Sequence, residues 1–199
     1  MRNWIVFIVA LSFSSGLWSA PFDYTKIKPE HYKDLKHRSE FVDKDGQSFR
    51  IENSEYSKGL YIQVVKNGSK KWRKHGVFYS YYKGKMTEME TYSYGKREGL
   101  RESYQGKGVI NFREYYQNGR RHGSWEQFNS KGKLVAQCNY SNGDKQGKYY
   151  SYYNGKVDFE KDYVDNKLHG EVIQFNSKGK IVARTQYSKG KQVGKTQWY

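Results

Sequence analysis

Three of the five histidines, His75, His122 and His169, recur at intervals of 47 residues, a regularity that could assemble a metal site or a proton relay. A zinc ion needs its ligands about 2 Å from one centre. The interval equals two units of the repeat described below, so two hairpins separate neighbouring histidines. At about 4.8 Å per strand that is ~19 Å, beyond the reach of any shared ion. They read instead as one recurring turn position. His31 and His37 lie six apart in a charged segment and read as solvated. Cys138 is the single cysteine, which excludes a disulfide framework and a cysteine-based metal cluster. Two residues from Tyr140, it reads as a small core residue rather than a nucleophile. Glu88, Glu90, Glu126 and Asp162 share no repeat position and form no evident carboxylate pair. No HExxH, GxSxG or P-loop motif occurs, and the glycines are spaced for turns, with no following helix to hold a phosphate. The expectation is a protein that is not an enzyme, with no catalytic residue, no metal and no cofactor.

What remains is charge and aromatic surface. Lys+Arg number 36 against 20 Asp+Glu, a formal charge of +16. Lys85, Lys107, Lys133, Lys156 and Lys180 fall at one set of turns; Arg97, Arg120, Arg121, Lys145, Lys167 and Lys191 fall at the other. Charged turns keep a long sheet soluble. Two such rails would also attract an acidic protein partner or an anionic envelope surface. The cluster KKWRKH (Lys70–His75), with Lys66, gathers five cations around Trp72, a mix that in a cytosolic protein points to nucleic acid. Export, argued below, weighs against nucleic acid. The expected partner-binding residues are aromatic where sister units are polar, Tyr79, Tyr82, Tyr150 and Tyr153, together with the paired arginines Arg120 and Arg121, because Tyr and Arg dominate interface hot spots.

These side chains need a scaffold, and composition restricts which. The chain has 199 residues with 20 Tyr, 10 Phe, 5 Trp and 20 Gly. A mean hydropathy of -1.05 would fit disorder, but so many aromatics argue for a folded chain. Leu and Ile are too few for a thick helical core, while Gly, Tyr, Thr and Val favour short strands and tight turns. Glycines at 76, 99, 123, 147, 170 and 194 recur every 23 or 24 residues. Five residues after each stands an aromatic: Tyr81, Tyr104, Phe128, Tyr152, Phe175 and Tyr199. Five pairs then place an apolar residue six before a tyrosine: Met86/Tyr92, Val109/Tyr115, Leu134/Tyr140, Val157/Tyr163 and Ile181/Tyr187. Even spacings keep both members on one strand face, where a 3.6-residue period would not. Each unit therefore reads as one β-hairpin, unstable alone and dependent on its neighbours. The predicted fold is all-β, an elongated antiparallel meander of about eleven strands in a single sheet.

Units such as NGRRHGSWEQFNSKGKLVAQCNY (Asn118–Tyr140) and DNKLHGEVIQFNSKGKIVARTQY (Asp165–Tyr187) resemble MORN-repeat variants of the YwqK-type antitoxin-component kind. The resemblance covers five full units and one truncated one. Glu98, Gln146 and Val193 depart from it by replacing the His before glycine, and Asn166 replaces a turn glycine. It implies a single-sheet repeat fold and an interaction or localisation module, antitoxin- or immunity-like in function.

Met1–Ala20 places one Arg before an apolar run from Trp4 to Phe13 and a small-residue exit at Ser19–Ala20. That is the order of a secretory signal peptide, and the run is short for a membrane span. Residues 21–65 read as a charged, partly irregular segment, with one short helix over Pro29–Phe41 and strands at Ser48–Glu52 and Leu60–Val65. Residues 66–199 read as the repeat array. The expected location is outside the cytoplasm of a bacterium, in the periplasm, at the cell surface or beyond it, with no transmembrane segment after signal cleavage.

Overall fold

A computed structural model describes residues 23–43 and 45–199; the expected signal peptide lies outside these. The described chain forms one antiparallel meander in which each strand pairs with the next. It divides into two compact units, Met1–Glu98 and Gly99–Tyr199.

The first unit holds β1 (Glu40–Val42), β2 (Ser48–Asn53), β3 (Ser57–Lys66), β4 (Ser69–Tyr82) and β5 (Lys85–Ser93), and β6 (Lys96–Gln105) begins in it. The second continues with β7 (Val109–Gln117), β8 (Arg120–Phe128), β9 (Leu134–Ser141), β10 (Asp144–Tyr153), β11 (Lys156–Val164), β12 (Lys167–Phe175) and β13 (Ile181–Ser188). Two short pieces, β14 (Lys191–Gln192) and β15 (Gln197–Trp198), both pair with β13. There are more strands than the eleven expected, because residues 40–66 add β1 to β3 to the same sheet. The strands expected at Ser48–Glu52 and Leu60–Val65 are β2 and β3.

Among the described residues eight hairpins close through two residues that both have positive φ, as at Asn118–Gly119 and Asn142–Gly143. This is the turn whose twist matches paired strands, and Asn-Gly is its favoured sequence. The repeat glycines do something else. Gly76, Gly123, Gly147 and Gly170 sit inside strands at positive φ, in bulges rather than turns. At each bulge three residues face one: 76–78 face Gly59, 122–124 face Tyr115, 147–149 face Cys138 and 169–171 face Asp162. An L side chain would be strained at such a φ.

Five of the six repeat glycines lie directly opposite a tyrosine of the next strand: Gly76 and Tyr92, Gly99 and Tyr116, Gly123 and Tyr140, Gly147 and Tyr163, Gly170 and Tyr187. One sequence pairing therefore needs correcting. The apolar–tyrosine pair of the second repeat is Ile110/Tyr116, not Val109/Tyr115, because Gly108 rather than Gly106 is the equivalent of Gly132 and Gly179, and Tyr104 pairs with Ile110. A one-residue slip turns a side chain to the other face, and Tyr115 is accordingly 38% exposed.

The one hydrophobic cluster among the described residues is in the first unit: Tyr32, Phe49, Ile51, Leu60 and Ile62, each under 5% exposed. Residues 23–39 fold over this face. Tyr24 stacks on Phe49 at 4.7 Å, and Asn53 Nδ2 donates to the carbonyls of Tyr32 and Leu35. The helix expected over Pro29–Phe41 is only a 3-10 turn at Pro29–Tyr32. Beyond it, the Arg38 N–H is drawn to the Ile51 carbonyl at 2.9 Å, which takes the chain into β1 instead.

Candidate interaction margin

Two kinds of charge occupy the second unit. Inside the sheet, cations and carboxylates sit on facing strands and neutralise each other. Glu102 faces Arg113, which in turn faces Glu126; Arg101 faces Glu114. Facing residues share a side of the sheet, so these are two ladders on opposite faces. In one, Arg113 Nε lies 2.8 Å from Glu102 and Nη1 3.4 Å from Glu126. In the other, Glu114 pairs with Arg101 and, through Oε2 at 2.7 Å, with Arg121 Nε.

A tyrosine two residues on completes the set, since the Tyr104 and Tyr116 hydroxyls donate to Glu102 and Glu114. The first unit repeats the motif with Tyr92, Glu90 and Arg97. Glu90, Glu102 and Glu114 are buried, and Glu114 is 1% exposed. Removing a carboxylate from water costs several kcal/mol, and only close cations and hydrogen bonds offset that. Glu90, Glu102, Glu114 and Glu126 follow each other at 12-residue steps, half a repeat. The acidic residues therefore do share a position, and counting at half the glycine period reveals it.

Further along the same unit, cations lie over rings. Arg121 sits 5.3 Å from the Tyr140 centroid, Lys145 lies 4.9 and 4.6 Å from Tyr149 and Tyr163, and Lys161 lies 5.1 Å from Phe159. These cations are committed to the sheet.

The turn margins differ. At the margin formed by the β6–β7, β8–β9, β10–β11 and β12–β13 connections, the turns read QGKGV, NSKGK, YNGK and NSKGK. Their six lysines, Lys107, Lys131, Lys133, Lys156, Lys178 and Lys180, are all exposed. The segments contain no carboxylate; the closest in sequence, Asp158, lies two residues inside β11. Among the described residues none of the six makes an ion pair. Asn129 and Asn176 build the two NSKGK turns identically, each side-chain oxygen accepting from two backbone N–H groups. Lys156 Nζ reaches the Ser177 carbonyl at 2.7 Å, so a lysine spans the gap between adjacent turns. Lys131 and Lys178 extend the rail read from sequence. Their signal was the exact-copy turn, one lysine of which was overlooked.

The opposite margin is mixed. Asp144 accepts from Asn166, and Asp165 accepts from Gln146. Turn N–H groups fold back onto the preceding hairpin, as Gly143 does to the Arg121 carbonyl and Gly190 to that of Leu168. Histidine belongs to this scaffold. His75 Nδ1 accepts from the Tyr94 N–H at 3.3 Å and His169 Nδ1 from the Lys189 N–H at 3.4 Å. The three histidines are thus strand residues in or beside bulges, not turn residues. Among the described residues no group of three or more His, Cys, Asp or Glu could hold a metal.

The six expected contact residues do not converge. Tyr79 is 6% exposed and its hydroxyl donates to the Ile27 carbonyl beneath the N-terminal cover, so it belongs to the core. Sequence comparison missed this because the cover touches only the first repeat. Tyr82 and Tyr153 are 64% and 69% exposed and flank turns of the same kind, Tyr153 beside Lys156 on the lysine margin. Tyr150 is half-buried and lines a shallow groove with Ser124, Glu126, Asn139 and Lys148. Arg120 is exposed, while Arg121 is held by Glu114 and Tyr140. Reversing both arginines would therefore not leave stability unchanged, because Arg121→Glu would set a carboxylate where Arg121 Nε now pairs with Glu114. Cys138 is buried, and burial pushes its thiol up, away from the reactive thiolate.

No family model matches the chain, and no curated protein matches it. Among solved structures, a mutant of S. aureus TarM in complex with fondaparinux, alpha-GlcNAc-glycerol and UDP is 17% identical with a TM-score of 0.25, over 79% of this chain and 27% of that one. The chain spans about a quarter of that protein's length, and overlap so slight assigns it neither fold nor activity. No helix among the described residues is long and apolar enough to cross a membrane.

Proposed function

We propose that this is an exported, non-enzymatic interaction module of the MORN-variant kind, which engages an acidic partner through the lysine margin of its second unit. One observation carries the reading: the carboxylates of the sheet ladders are matched by cations, while six exposed lysines at one margin have no carboxylate. Unmatched like charges repel one another, and an anionic ligand relieves that repulsion. The resemblance supplies one partner class, an acidic protein bound in an immunity- or antitoxin-like role.

Adhesion to anionic envelope material is the second reading, and the composition of the margin favours it. Protein interfaces are depleted in Lys and anchored by Trp, Tyr and Arg, whereas here six lysines outnumber the exposed aromatics near them, Tyr153, Trp198 and Tyr199.

The test is fractionation followed by binding. The protein is expected in the extracytoplasmic fraction with a new N-terminus at Ala20 or Pro21, and its retention on an anionic matrix should fall when Lys133, Lys156 and Lys180 are changed to Gln. Intact Met1 in the cytoplasm would overturn export. Unchanged retention would overturn the margin.

A further inference from the structure

Resting on that reading, the geometry points to a more specific ligand: we infer that the lysine margin of Gly99–Tyr199 is a track for a linear polyanion, a flexible chain carrying closely spaced phosphate or carboxylate groups. Turns on one margin recur every second strand, a pitch of about 9.6 Å. Four turns therefore lay six lysines along roughly 29 Å, in the order one, two, one, two. Lys156 touching the next turn shows a lysine stem bridging the gap between the β10–β11 and β12–β13 turns.

The residue type fits the same ligand. Lysine is a compact charge on a long, mobile stem and imposes no fixed angle on its anion; arginine holds carboxylate or phosphate in a planar fork. Three arginines of the second unit, Arg101, Arg113 and Arg121, hold Glu102 and Glu114 where geometry is fixed, and lysines line the margin where a ligand of irregular spacing would lie. A polymer gains from every turn it crosses, through release of its condensed counterions. Trp198 and Tyr199, 75% and 70% exposed, pair with the start of β13 near Lys180, so a lipid surface is the competing ligand that the test must separate.

The experiment uses the full chain with two probes at equal total phosphate, tripolyphosphate and long-chain polyphosphate, titrated over a range of salt. Long-chain polyphosphate should bind far more tightly per phosphate, with a slope of log K on log salt near −4, from six contacts at about −0.7 each. Replacing Lys133, Lys156 and Lys180 together by Gln should reduce that slope by about 2. Replacing Lys167, Lys189 and Lys191 of the other margin, an equal change in net charge, should leave it in place. Equal effects of the two triples would show that net charge alone binds, and the track would fail. Equal binding of the short probe per phosphate would also overturn it. If the first triple weakens only binding to phosphatidylglycerol vesicles, the ligand is a surface; the margin and the functional reading stand, and the polymer is lost. If neither probe nor vesicles respond to that triple, both fall.

Discussion

The two units solve the same problem with different chemistry. Each must hold together hairpins that are unstable alone. Met1–Glu98 does so in the usual way, covering one face with residues 23–39 and burying Phe49, Ile51, Leu60 and Ile62 beneath them. In Gly99–Tyr199 the buried hydrophobic residues are small or scattered, namely Ala136, Cys138, Ile173 and Ala183, and the buried carboxylates Glu102 and Glu114 stand beside them, extending the pattern that Glu90 begins in the first unit. There the ladders of Glu, Arg and Tyr, with cations stacked on rings, provide cross-strand attraction. A sheet can evidently be stabilised by layers of matched charge where no cover exists, at the cost of demanding exact partners.

That contrast can be broken at its strongest point first. Phe49→Ala should cost about 4 kcal/mol, as a cavity in a core, and native-state hydrogen exchange should show the loss in residues 23–98. Glu114→Ala should cost about 3 kcal/mol in the second unit by leaving Arg101 and Arg121 without their shared carboxylate. Glu160→Ala, whose partner Lys148 is half exposed, should cost less than about 1 kcal/mol. Equal losses at Glu114 and Glu160 in thermal melts would refute the idea that burial makes the ladders matter.

Gly170→Ala comes next, at about 2 kcal/mol, since φ is +110° and the added methyl would stand 2.9 Å from Asp162 Oδ2. A smaller, pH-dependent effect separates the units again. Burial holds the His75 imidazole below its ordinary value of 6.5, favouring the neutral form that accepts from Tyr94. Its contribution is therefore complete above about pH 6.5 and lost as pH falls below it. Melts of the wild type between pH 7 and 5 should decline more steeply than those of His75→Leu. Smallest of all, Arg120→Glu should change stability by under about 0.5 kcal/mol, while Arg121→Glu, placed against Glu114, should lower the melting temperature clearly.

Much of this was legible in the chain. The period of the glycines, the Asn-Gly turns and the apolar–tyrosine pairs specify strand length, turn type and hairpin order, because each follows from local backbone chemistry. The lysine margin was legible too, in part, because turn residues at a fixed offset must share an edge. Tyr79 was misread because Tyr79–Tyr82 and Tyr150–Tyr153 have the same sequence, YSYY, while only the former lies under the N-terminal cover. Identical local sequence cannot report a contact with a segment 52 residues away. Arg120 and Arg121 looked equivalent for a similar reason; neighbours in a strand point to opposite faces, and one of them meets Glu114.

The sequence by itself determined an antiparallel meander of hairpins, the positions of its turns and an excess of cations along their edges. These depend on φ preferences and period, which a short stretch of chain carries within itself. Tertiary structure decided which cations are matched and which remain available. Pairing across strands depends on register, and register here is reset at every bulge and by each change in turn length, as between Asn154–Gly155 and Gly106–Gly108. So the same lysine-and-arginine composition becomes ladder on the faces, scaffold on one margin and an acid-free rail on the other.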